Sequence, residues 1–80
     1  MKVHYNKKAI KALGKRIQEL RGKQKISQAQ LAFEIGTSQK HISRIERGQI
    51  NTSVAHLFAI SEALDIPPKD LFDFDFPDKK

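Results

Sequence analysis

The sequence predicts an all-α fold, a five-helix bundle whose centre is a pair of short helices locked across a tight turn. Three observations predict it. Apolar residues recur at steps of three and four rather than two, polar caps stand in front of the apolar stripes, and Gly36 splits the central segment QAQLAFEIGTSQKHISRIERG, Gln28 to Gly48, into two stripes. Leu31, Ala32 and Ile35 share one helical face, and Ile42 and Ile45 form the second. Two helices of about two turns each must therefore face one another. Ala32 sits where they cross most closely, so its methyl group lets the axes approach, and Gly36 opens the turn, where a positive φ is often needed.

The elements follow in order. Residues 1 to 8 are polar and basic and read as an arm. The first helix runs from about Asn6 to Gln24, with Ile10, Leu13, Ile17 and Leu20 along one stripe. The second spans Gln28 to Ile35 behind Ser27-Gln28-Ala29-Gln30, which has the spacing of a capping box. Thr37 and Ser38 offer hydroxyl caps for the third, Gln39 to Arg47, and a loop through Gln49, Ile50 and Asn51 leads onward. Asn51, Thr52 and Ser53 are candidate caps for the fourth, Ser53 to Leu64. Its apolar residues Val54, Leu57, Phe58, Ile60, Ala63 and Leu64 make a stripe wide enough for a lid on the core. Ile66-Pro67-Pro68 ends that element, since the residue before a proline avoids the α region, and Pro68 suits the first turn of a fifth helix to Phe72. The expected division is an arm at 1–8, a domain at 9–72 and an acidic, aromatic tail at 73–80.

The paired helices have the spacing of a helix-turn-helix, and the segment resembles the DNA-binding domain of the phage repressor and Cro family, the Xre-type regulators. The resemblance extends beyond the pair to KRIQELR at Lys15 to Arg21, IERG at Ile45 to Gly48, and LFAISEALDIPPKDLF at Leu57 to Phe72. It implies a bundle of the phage-repressor type, with the third helix entering the major groove of double-stranded DNA. With Ile42 and Ile45 turned inward, Gln39, Lys40, Ser43 and Arg44 are left facing outward as base readers. Glutamine pairs bidentately with adenine and arginine or lysine with guanine, so a half-site combining adenine with guanine is expected. Phosphate contacts should flank the reading helix, because helix N-termini favour anions; the candidates are Gln28, Ser38, His41, Arg47, Asn51 and Thr52. His41 fits a solvent-facing side chain equally well. By resemblance, Gln28 touches the DNA backbone and braces Gln39, and Arg21 pairs with Glu46 to tie the third helix to the first.

Composition sets outer bounds. Eighty residues make one domain that buries only about 60% of its unfolded surface. No cysteine is present, so neither a disulfide framework nor a thiolate metal site is expected. The N-terminal stretch has no apolar run long enough for a signal peptide, and no segment is long enough for a membrane span, so a cytoplasmic protein is expected. Residues 1–52 hold 12 Lys/Arg against 3 Glu, a balance of +9, whereas residues 53–80 hold 3 Lys against 6 Asp/Glu, a balance of −3. A basic front suits a polyanion, although composition alone is equally compatible with charge kept for solubility. His4, His41 and His56 lie on different elements without an acidic partner at helical spacing, so no metal site is expected. No cofactor is expected, and with no nucleophile elbow and no room for a water-excluding pocket, neither is an enzyme.

The functional expectation is a sequence-specific transcriptional regulator, a homodimeric repressor on a pseudo-palindromic operator, like the small controller proteins of restriction-modification systems and phage repressors of the resembling family. Leu71, Phe72, Phe74 and Phe76 are the expected dimer interface. The alternative is an antitoxin-like module whose C-terminal region binds a protein partner while DNA binding serves autoregulation. Its support is the period-two alternation of Phe72, Asp73, Phe74, Asp75 and Phe76, which also fits simple packing by Phe72 followed by a frayed tail.

Overall fold

The computed structural model describes residues 6–77. Residues 1 to 5, most of the expected arm and including His4, lie outside the described residues, as do tail residues 78 to 80. Four α-helices are present among the described residues: α1 Lys7–Lys23, α2 Gln28–Ile35, α3 Gln39–Glu46 and α4 Val54–Ala63. A 3-10 helix, Pro68–Phe72, follows.

Each α-helix begins at a side-chain cap. Asn6, Ser27, Ser38 and Ser53 accept from the backbone N–H groups of Ala9, Gln30, His41 and His56 at 3.0 to 3.1 Å. These bonds satisfy donors that a helix start leaves without an intrahelical partner. At Ser27 only the forward half of the capping box forms. At the C-terminal end of α2, Gly36 adopts φ 76°, and the Thr37 N–H donates back to the Ala32 carbonyl at 2.9 Å. That left-handed turn satisfies orphan carbonyls of α2 and aims the chain into α3.

The first helix starts where expected: Lys7 and Lys8, which the arm at 1–8 overlapped, are the first two residues of α1 behind the Asn6 cap. One expectation is corrected. The fifth helix is not α-helical: the Asp70 N–H donates to the Pro67 carbonyl at 2.9 Å, a three-residue span. Pro67 and Pro68 contribute no N–H, and five residues are too few to establish a four-residue ladder, so the tighter turn prevails.

Ile17 and Leu20 of α1, Leu31 and Ala32 of α2, Ile42 and Ile45 of α3, Ile60 of α4, Leu64 and Leu71 make one core. Ala32, 2% exposed, is packed within this core. The lid is narrower than its apolar composition: Ile60 and Leu64 are buried, whereas Val54 and Phe58 are 65% and 53% exposed. Leu71 is fully buried inside the protomer, where the 3-10 helix packs on α1 and α4, so it leaves the expected dimer surface. Phe72 and Phe76 stay exposed and Phe74 is half-buried; with Ala9, Ile10 and Leu13 they line an apolar recess. The described tail residues 73–77 carry no strand, and Phe74 and Phe76 border this recess beside α1.

Candidate nucleic-acid interface

Helix α3, the expected reading helix, is anchored from inside. Ile42 and Ile45, 0% and 3% exposed, point one side of α3 into the core. Gln39, Lys40 and Arg44 are exposed on the opposite side, and Ser43 is half-buried beside them. All three exposed side chains are long, with hydrogen-bond donors at their ends, as base-edge recognition in a major groove requires.

Beneath this face lies a buried ionic knot. Arg21 Nε donates to Glu46 Oε2 at 2.6 Å, Arg21 Nη2 to Glu46 Oε1 at 3.0 Å, and Arg21 Nη1 to the Ile26 carbonyl at 2.6 Å. The two parallel bonds form a bidentate pair, shorter and stronger than neutral hydrogen bonds. The hydrogen bond to Glu46 raises the Arg21 pKa above its already high ordinary value; desolvation opposes this and the Glu46 charge adds to it. Gln28 Nε2 donates to Glu46 Oε1 at 2.9 Å, so the α2 glutamine is committed to the carboxylate and does not brace Gln39 as expected. A carboxylate has more lone pairs than one guanidinium occupies, and a buried one captures the nearest free donor. Three segments, the end of α1, the start of α2 and the end of α3, thus converge on one side chain.

The expected phosphate ligands divide into two groups. Ser38, Arg47 and Asn51 are exposed around α3 and its exit loop, and Arg47 Nε donates to the Ser43 carbonyl at 3.3 Å. His41 and Thr52 are half-buried, and His41 Nε2 and Thr52 Oγ1 are buried without hydrogen-bond partners. The His41 ring packs on that of His56, centroids 4.7 Å apart and tilted by 39°, while His56 Nδ1 meets Ser53 Oγ at 2.7 Å. The two histidines therefore join α3 to the start of α4, a contact that their sequence separation hid.

Two glycines were missed by residue-type reasoning. A Cβ on Gly14 would lie 2.3 Å from the Ile45 carbonyl oxygen, and one on Gly48 would lie 2.6 Å from the Lys11 Cα. The glycine in the IERG block was the available signal for the second; nothing local marked the first. Their consequence is that α1 lies directly against the C-terminal end of α3.

Two short capped helices across a left-handed turn, the second with an outward polar face and a buried ion pair holding its end, are the arrangement of a helix-turn-helix DNA-binding protein. The chain belongs to the helix-turn-helix family, whose model matches residues 17–71. The control protein C.BamHI of Bacillus amyloliquefaciens is 44% identical over 62 residues, 76% of each chain. Among solved structures, the restriction-modification controller protein C.AhdI from Aeromonas hydrophila superposes with a TM-score of 0.77 at 38% identity, covering 79% of this chain and 96% of that one. The P22 c2 repressor, solved with a synthetic operator, gives 0.70 at 38% identity with the same coverage of each chain. The protein is a DNA-binding transcription regulator homologous to controller proteins and phage repressors, a family of regulators rather than enzymes. Among the described residues no helix is long and apolar enough to cross a membrane, and no group of three or more His, Cys, Asp or Glu is placed to hold a metal ion.

Proposed function

We propose that the protein binds a pseudo-palindromic operator as a homodimer in the cytoplasm, each protomer reading one half-site with α3, and represses by occupying DNA that polymerase requires. The observation that carries this reading is the outward face of α3, where Gln39, Lys40 and Arg44 are exposed on a helix anchored by Ile42, Ile45 and the Arg21–Glu46 pair. Gln39 is suited to adenine, and Lys40 and Arg44 to guanine. Ser43 adds a hydroxyl at the edge of the face. Exposed Ser38, Arg47 and Asn51 are the stronger phosphate ligands. Gln28, His41 and Thr52 are weaker ones, because the first is engaged by Glu46 and the other two turn a polar atom into the protein.

The dimer reading rests on Phe72, Phe74 and Phe76 beside Ala9, Ile10 and Leu13, an apolar surface on a chain with a small core. One helix spans too few base pairs to be selective, and two-fold pairing doubles the site read. The C.AhdI and P22 c2 comparisons support a regulator acting on an operator and do not favour an antitoxin-like partner module. The test is selection of bound duplexes from a random pool, followed by footprinting. A recovered site with two inverted half-sites about 34 Å apart is expected; protection of a single asymmetric half-site by a monomer would refute the reading.

A further inference from the structure

We propose that the lysine-bearing face of α1, centred on Lys11 and Lys15, is a second phosphate-binding track that extends the DNA footprint beyond the base pairs met by α3. The proposal rests on the reading of α3 as the operator-reading helix. Lys8, Lys11 and Lys15 follow one another at steps of three and four along α1, so they share a face. With Gln18 they form one wall of an open groove whose other wall is Arg47 and Gln49. A neighbouring groove, lined in part by Lys7, Lys11, Arg47, Gly48 and Asn51, runs from this wall to the exit loop of α3. Arg47 and Asn51 are the phosphate ligands already proposed, so the α1 face continues their line.

Glu46 is the acid that borders the groove, and its carboxylate, with the side chain 1% exposed, is taken up by Arg21 and Gln28. Lys11, Lys15 and Arg47 therefore dominate the field in the groove. Clustered like charges repel in the free protein, and a polyanion relieves that repulsion. The seven steps from Lys8 to Lys15 rise about 10 Å along the helix, close to three base-pair steps of about 3.4 Å. A row of evenly spaced anions fits such a face better than a single small anion does. The track is also held in register with the reading helix. Gly48 lies so close to Lys11, and Gly14 to the Ile45 and Glu46 carbonyls, that no side chain fits between α1 and the end of α3.

The experiment uses the full chain and two duplexes carrying a selected operator, one trimmed to the read base pairs and one extended by about ten base pairs, roughly one helical turn, on each side. Affinity is measured against salt for the wild type and for Lys11→Ala/Lys15→Ala. On the extended duplex, the slope of log K against log salt should shrink by one to two in the variant, at about 0.9 per phosphate contact, with affinity about tenfold or more weaker. On the trimmed duplex the two proteins should converge, and base preference should be the same in both. Lys11→Gln/Lys15→Gln repeats the test if the alanine pair alters helical content or melting. Equal slopes and affinities on the extended duplex, with base preference intact, would overturn the track alone. Absence of any base preference in the wild type, or a preference unchanged when Gln39, Lys40 and Arg44 are all replaced by Ala, would overturn the α3 reading on which the track depends.

Discussion

Glu46 places a negative charge on the helix that must approach a polyanion, and its surroundings resolve the conflict. The carboxylate is buried and accepts two bonds from Arg21 and one from Gln28, so its charge is compensated inside the protein. Removing one partner of a buried pair leaves the other uncompensated. Glu46→Ala should destabilise the fold by about 3 to 5 kcal/mol, read as a lower denaturation midpoint in the absence of DNA. A midpoint equal to that of the wild type would mean that solvent already screens the pair. Arg44, proposed as a base reader, and Arg47, proposed as a phosphate ligand, should separate by function. Arg44→Ala should weaken operator binding by about 1 to 3 kcal/mol and relax preference at one base position. Arg47→Ala should weaken all sequences alike and lower the salt slope by about one. Matching preference profiles for Arg44→Ala and wild type in a binding selection would remove Arg44 from the readers.

At the scale of elements, the joints between helices depend on positions with no room for a side chain. Gly48 has φ 69°, and a Cβ there would stand 2.6 Å from the Lys11 Cα. Gly48→Ala combines left-handed strain with a backbone collision and should cost about 1 to 3 kcal/mol or more. Gly14→Ala meets the Ile45 and Glu46 carbonyl oxygens at 2.3 and 2.7 Å and should force α1 away from α3. Thermal melting, with circular dichroism to follow helix content, checks both; a Gly14→Ala protein that melts with the wild type would show that the α1–α3 joint is loose. The starts of α2, α3 and α4 were legible in the sequence because a cap is a local event: Ser27, Ser38 and Ser53 all act within three residues, whereas Asn6 was read only as a helix start and not as its cap. The character of Pro68–Phe72 was not, because proline at the first turn is compatible with both an α-helix and the 3-10 helix that forms.

At the scale of the molecule, the C-terminal aromatic segment and α1 act together. Arg16 Nε donates to the Asp70 carbonyl at 2.9 Å, and its Nη2 lies 3.8 Å from exposed Asp73. The first bond ties the 3-10 helix to α1; the second, in solvent, contributes little. Removal of residues 73–80 should therefore leave helical content intact while weakening dimerisation and operator affinity together. Light scattering at DNA-binding concentrations decides: a truncated chain that remains a dimer would place the interface elsewhere. The exposed Val54 and Phe58 on α4 are then the next apolar surface to test by substitution.

The sequence by itself determined the helices, the caps of α2, α3 and α4, the Gly36 turn, the inward Ile42 and Ile45 and the outward Gln39, Lys40 and Arg44, because all of these follow from spacing within one or two helical turns. Resemblance added the Arg21–Glu46 pair, whose partners stand 25 residues apart. Tertiary structure decided that Gln28 serves Glu46, that Leu71 fills the core, that His41 meets His56, and that the lysines of α1 stand beside Arg47. Each of those outcomes depends on how one helix crosses another. A crossing is set by which side chains leave room for it, and at Gly14 and Gly48 that room is the absence of a side chain, whose use appears only when the neighbouring helix is in place.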